Sequence, residues 1–251
     1  MDILGLSRIS PDEVILWRWH VVVLNATLIY TWLVMILLVG LSWLVTRRLS
    51  TELQVSRWQN LLEILVSFIR SHIEEISQED PDRYLPFIGT LFLFIALSNL
   101  LVIVPGYVAP TASLTTTAAL AIAVFIAVPL FGIARRGLWN YLKAYFQPTF
   151  LFFPFHVLGE FSRTLALAVR LFGNIMSGDK VVAILLAVTP LFFPMIMHAL
   201  GLLIGLVQAY IFSILALVYI VSATQSHEKE GKSNFPEPQA VPKDSKVLPN
   251  A

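Results

Sequence analysis

The sequence contains no cysteine. That excludes disulfides, and with them thiolate metal sites and thiol catalysis. Charge is scarce as well: Asp, Glu, Lys and Arg make up 13% of the chain, against about 25% in ordinary soluble domains. The formal net charge of +1 argues against nucleic-acid binding as the purpose. A phosphate-binding G-x-x-x-x-G-K-[ST] loop, a nucleophile elbow and an H-E-x-x-H metal motif are all missing. ATP hydrolysis on this chain is therefore not expected, nor is a cofactor or a metal. The second half does not repeat the first, so an inverted-repeat transporter architecture lacks support.

What the chain has instead is apolar surface. It is 57% hydrophobic, with a mean hydropathy of +0.77. The periods within that surface predict an all-α integral membrane protein of about five membrane helices. The last two are long and tilted, and an interfacial amphipathic helix is added to them.

The opening residues carry Trp17 and Trp19 just before the first apolar run, as interfacial anchors would be. His20–Thr46 is then long enough to span a bilayer. It is too long for a signal-peptide core and lacks a cleavage site, so a signal peptide is not expected. Over residues 51–84, Trp58, Leu61, Leu62, Leu65, Phe68, Ile69, Ile73 and Ile76 recur at helical spacing. Gln59, Asn60, Glu63, Ser67, Arg70, Glu74 and Glu75 take the other side. This is an amphipathic helix, lying at the interface or packing on the bundle. Gln78 to Asp82 closes it as a polar turn.

Pro86 opens a second span that stops at Pro105-Gly106, with Asn99 inside it as an interhelical hydrogen-bond donor. The third span runs from about Ser113 to Ala134, with Pro129 as a kink. Arg135, Arg136 and Lys143 mix with Trp139, Tyr141 and Tyr145, as at a membrane surface. Two long helices follow, about Pro154–Val188 and Pro194–Ala223. From His227 the composition turns polar and cannot bury a core. The chain thus divides into a membrane domain, 1–226, and a disordered tail, 227–251.

Ser162–Lys180, reading SRTLALAVRLFGNIMSGDK, is the unusual stretch. A charge at the centre of a bilayer helix costs about 2.5–3.5 kcal/mol on insertion scales, so Arg170 there demands a reason. Arg170 and Asn174 share a helix face. Ala166, Gly173 and Ser177 lie near the same stripe, with Arg163 one heptad below. Small residues let a neighbouring backbone approach closely. Arg170 either pairs with a carboxylate on a neighbouring helix of this chain or awaits a partner outside it. The other deep segments contain almost no acids, which favours the outside partner.

Asp179 falls on the opposite side of the helix from Arg170. It is either a solvated cap at a helix end or a group aimed at the last helix. On that last helix Gly201, Gly205 and Gln208 fall on one stripe with His198 nearby, and the glycines form a small-xxx-small pair.

RLFGN followed by SGDKVV resembles the signature of the a-subunit family of the F-type ATP synthase membrane sector. The likeness continues in PFIGTLFLFIALSN (86–99), in QPTFLFFPFHVLGEFSR (147–163) and in VQAYIF around Gln208. It covers about Trp58 to Ala223, in a style closest to cyanobacterial and plastid members.

The resemblance implies a stator beside a rotating ring of c subunits, each with a membrane-buried carboxylate. Two aqueous half-channels would lead to that carboxylate from opposite sides, with Arg170 separating them electrostatically. Asn174 and Gln208 match residues that line the same interface. Asp179 matches an acidic position of the inlet half-channel, and His198 is placed with the ion-translocating residues. Implied partners are the c-subunit ring, b-type stator subunits, other ATP synthase subunits and the lipid bilayer, with no nucleic acid. The chain departs from the family pattern at Ser113 and Thr115, where members often carry an Asp and an Asn. It departs again at Gly201, where some carry a titratable residue.

Two other classes stay open on the residues alone. One is a secondary transporter or channel using Arg170 and Asp179 as an internal relay. The other is a non-conducting assembly subunit whose charges only dock partners.

Lys and Arg number five in 47–84, three in 135–143, none between the second and third spans, four in the tail and two before the first span. The positive-inside rule then puts the N-terminus outside and the tail in the cytoplasm of a bacterial plasma membrane or thylakoid-type membrane. Five spans agree, because an odd number separates the termini.

Overall fold

The computed structural model describes residues 15–19, 22–47, 57–104, 106–139, 153–188 and 193–225. The polar tail expected over 227–251 lies outside them, as does the basic aromatic segment beyond Trp139.

The chain enters through a short antiparallel hairpin of β1 (Ile15–Trp19) and β2 (Val22–Asn25), with Trp19 opposite Val22 and Trp17 opposite Leu24. This corrects the start of the first span, expected at His20. Valines at 22 and 23 suit an extended, pleated backbone, and the helix begins only at Ala26. Helix α1 (Ala26–Thr46) still has 21 residues, about the length a bilayer requires. Its Ile36, Val39 and Leu44 are more than 60% exposed, as a lipid-facing surface demands. Arg47, at its end, lies with its guanidinium 5.0 Å from the Trp43 ring centroid.

Helix α2 (Arg57–Ser77) is amphipathic and packs on the bundle. Ile69 and Ile73 enter the core and Leu65 and Ile76 flank it, while Glu63, Arg70 and Glu74 stay exposed. It ends at Gln78, whose φ of 53° is left-handed. A 3₁₀ turn, Pro81–Arg83, follows, with the Asp80 side chain accepting from the Asp82 amide at 3.1 Å. Glu79 in this turn is not merely solvated. It pairs with Arg135, and one of its oxygens accepts from the Tyr84 hydroxyl at 3.1 Å.

Helix α3 (Leu85–Leu100) leads through a 3₁₀ turn to the loop 106–113. Tyr30 of α1 donates to the Gly106 carbonyl at 2.9 Å and meets the Tyr107 ring edge-on at 5.1 Å. Burial pushes the Tyr107 hydroxyl well above the usual tyrosine range, next to Ser98 but without a well-formed hydrogen bond. Helix α4 (Leu114–Arg136) is capped by Ser113, whose hydroxyl accepts from the Thr115 amide at 3.2 Å. It continues through Pro129 and stops at Gly137, whose φ of 78° suits glycine.

The last two helices are α5 (Phe153–Val188) and α6 (Phe193–Gln225), of 36 and 33 residues. At about 1.5 Å per residue both exceed the roughly 30 Å hydrocarbon core, so they tilt or project beyond it. Among the described residues, α1, α3, α4 and α6 are long and apolar enough to cross a membrane. Helix α5 carries Arg163, Arg170, Asp179 and Lys180 along its length. It belongs to the same bundle nonetheless. Its Leu167, Ala168 and Leu171 are buried in the core formed with Ile88 and Ile95 of α3, Val124 of α4 and Phe212, Ala216 and Ile220 of α6. Helix α6 is the centre of the bundle, packing on α3, α4 and α5. The architecture is that of a multi-pass helical membrane protein.

Candidate functional site

Helices α5 and α6 run antiparallel along a seam with three parts. Its middle is dry, with Leu167, Leu171, Ala209, Phe212 and Ala216 each at most 1% exposed. One end is closed by the Arg163 guanidinium, 5.6 Å from the centroid of the Tyr219 ring. The other is closed by Asn174, whose amide nitrogen donates to Gln208 Oε1 at 2.7 Å. Gln208 is 3% exposed, and its own amide nitrogen finds no hydrogen-bond partner. An unmet buried donor of this kind costs about 1–3 kcal/mol unless something supplies an acceptor.

Arg170 stands on the edge of this seam, one turn from Asn174 on the same face. Its side chain is exposed, and it makes no ion pair or hydrogen bond among the described residues. The alternative of a carboxylate on a neighbouring helix of this chain therefore has no counterpart among them. Ala166, Gly173 and Ser177 on the same side are exposed too, leaving a shallow face around the guanidinium.

Beyond Asn174 the seam opens into a cleft of about 70 Å³. Asn174, Gly178 and Val182 of α5 face His198, Gly201 and Gly205 of α6 across it, and Asn99 of α3 forms part of the wall. The space exists because side chains are missing. A Cβ on Gly178 or on Gly201 would meet nothing within 4 Å. The two glycines of α6 thus do different work, although sequence spacing paired them. Gly205 is the packing residue: a Cβ there would stand 2.9 Å from Asn99 Cβ. Gly201 leaves room.

Of the residues predicted from sequence, Arg170, Asn174 and Gln208 gather at the seam, and His198 lines the cleft. Asp179 is within α5, directly after the cleft-lining Gly178, and not at a helix end. Its side chain lies outside the described residues. Ser113 and Thr115, the two departures from the resembled pattern at the start of α4, form a hydroxyl pair at 2.5 Å, and Ser113 caps the helix.

Asn99 behaves as the interhelical donor expected, giving its amide hydrogen to Gly205 O at 3.0 Å and accepting from Thr111 at 3.2 Å. Sequence reasoning missed that it also walls the cleft. It missed Tyr219 as well. The signal was available, since Arg163 to Asn174 and Gln208 to Tyr219 are both eleven residues, about three full turns on each helix.

The profile of the family described as ATP synthase A chain matches residues 28–221. The chain is 60% identical over 222 residues to ATP synthase subunit a 1 of Chlorobaculum parvum, covering 88% of this chain and 98% of that one. It is 58% identical over 231 residues to ATP synthase subunit a 2 of Picosynechococcus sp., covering 92% and 99%. With ATP synthase subunit a of Albidiferax ferrireducens the identity is 57% over 231 residues, covering 92% and 98%.

Proposed function

The chain belongs to the ATP synthase A chain family, and on that premise we propose that it is the stator subunit through which ions reach and leave the rotor of an F-type ATP synthase membrane sector. The observation that carries the reading is Arg170: an exposed cation on a membrane helix, without a partner among the described residues, beside Asn174 and the buried Gln208 it bonds to. Such a charge calls for an anion from outside the chain. A rotor carboxylate passing it is held ionised, because an opposite charge within about 4–6 Å favours the charged form. Leaving that field, the carboxylate takes up its ion again. Arginine suits the task because it keeps its charge throughout the cycle.

The cleft beyond Asn174 is read as the inlet half-channel, with His198 lining it, Asp179 next in sequence to its Gly178, and the glycines providing room for water. A second half-channel leads to the same rotor carboxylate from the opposite side, with Arg170 between the two. Partners are the c-subunit ring and the b-type stator subunits, and the coupling ion is a proton or sodium. The N-terminus is placed outside and the tail in the cytoplasm, in a bacterial plasma membrane or a thylakoid-type membrane.

The test is ATP-driven ion pumping by the whole complex in vesicles. Arg170→Ala is expected to abolish coupled transport, and Arg170→Lys to restore it only in part, since a flexible ammonium replaces the rigid fork. Coupled transport at the unsubstituted level in Arg170→Ala would overturn the reading.

A further inference from the structure

Arg163 and Tyr219 are left over once Arg170, Asn174, Gln208 and the cleft are accounted for. Their contact is one of two that tie α5 to α6 at the margins of a dry seam, the other being Asn174–Gln208. The spacing between the two ties is the same on both helices. Equal spacing on antiparallel helices means that both ties are made in one register only. A single tie leaves a helix free to pivot about it. Two ties about 16 Å apart, from eleven residues at about 1.5 Å each, remove both the pivot and the slide.

The middle of the seam offers little to hold register by itself. Apart from Phe212 it presents Ala168, Ala209 and Ala216, which are smooth, and leucines that repeat one turn apart at 167 and 171. A slip by one turn, about 5.4 Å, would bring leucine onto leucine's place. It would also carry Arg170, four residues from Asn174, to the level of Gln208. In lipid, apolar contact between helices brings no gain over contact with acyl chains, so register has to come from specific ties.

A guanidinium over an aromatic face is such a tie, and arginine stacks on rings better than lysine does. No carboxylate pairs with Arg163 among the described residues. From this we infer that Arg163, seated on Tyr219, is a positioning residue that sets the height of Arg170 along the seam. The inference rests on the role proposed for Arg170. It adds that the site is incomplete without a second cation that never meets the rotor carboxylate.

The chain has no cysteine of its own, so spin labels can be attached at Leu165→Cys on α5 and Val218→Cys on α6, both exposed. The distance between them is read by pulsed electron spin resonance in the assembled complex, alongside ions pumped per ATP hydrolysed. Tyr219→Met, which keeps bulk and loses the ring, and Arg163→Gln are each expected to broaden or shift the distance by up to about 5 Å. Both should lower the pumping ratio, by up to the roughly hundredfold that a misplacement of about 1 Å can cost. Tyr219→Phe is expected to keep both readouts near the unsubstituted values, and Arg163→Lys to keep most of them. An unmoved distance in Tyr219→Met overturns the inference. So does a loss of pumping in Arg163→Gln that Tyr219→Met does not share, for the charge would then act alone. If one of the two variants fails to assemble, the other still decides by the distance. Retained pumping in Arg170→Ala, by contrast, would sink the reading of Arg170 and leave the distance result standing.

Discussion

The Cβ that Gly205 lacks would lie 2.9 Å from the Cβ of Asn99, while the one that Gly201 lacks would meet nothing within 4 Å. Two glycines one turn apart on α6 therefore answer differently to the same substitution. Gly205→Ala must push α3 and α6 apart or rotate Asn99 off its bond to the Gly205 carbonyl, at a cost of about 1–3 kcal/mol. The melting temperature of the purified complex should fall. Gly201→Ala should leave it unchanged or slightly raised, since alanine is favoured over glycine within a helix by about 1 kcal/mol. Its effect should be on flux, because the methyl group enters the cleft. Equal loss of stability in both variants would contradict the assignment.

The Asn174–Gln208 pair separates stability from function. Asn174→Ala leaves both polar groups of a buried amide unmet and should cost about 1–3 kcal/mol. Replacing both residues by leucine removes the unmet groups and should recover most of that stability, yet ion pumping should stay lost. Thermal denaturation and vesicle pumping, measured on the same preparations, check the two halves. A double-leucine variant that pumps normally would show the pair to be packing only.

Asp179 is expected to pass ions between the outer aqueous space and the rotor. Asp179→Asn should slow flux while leaving assembly intact, and Asp179→Glu should restore most of it. The position one residue after the cleft-lining Gly178 motivates this. Unchanged flux in Asp179→Asn at limiting ion concentration would remove Asp179 from the pathway.

Two ion pairs at the α2–α3 turn should differ in worth. Glu79 and Arg135 keep only 22% and 28% of their side-chain surfaces and join the turn to the end of α4. Glu79→Gln should cost about 1–2 kcal/mol, reduced from the buried-pair value by the remaining exposure. Arg70 and Asp82, 3.0 Å apart but 51% and 60% exposed, are an ordinary surface pair. Asp82→Asn should change stability by less than about 0.5 kcal/mol. Melting temperatures of the two variants, compared at low and high salt, test the ranking.

Much of this protein could be read in the order of its residues. Long apolar runs settled the class, because a segment that must hide twenty backbone amides from lipid has few alternatives to a helix. Period 3.6 separated the amphipathic α2 from the spans and put Arg170 and Asn174 on one face. Both are local properties, decided within a turn or two of chain. The start of α1 at Ala26 was less legible, since a valine-rich run reads equally as a strand or as the first turn of a helix.

What required the folded chain was everything that depends on two helices at once. Only packing shows that Gly205 is pressed against Asn99 while Gly201 borders open space, because spacing along one helix does not say which neighbour approaches it. The bond from Asn174 to Gln208 joins residues 34 apart in sequence, and the seat of Arg163 on Tyr219 joins residues farther apart still. Side-chain identity made these contacts available. The register of α5 against α6 decided which of them formed, and a one-turn slip in that register would have moved every one.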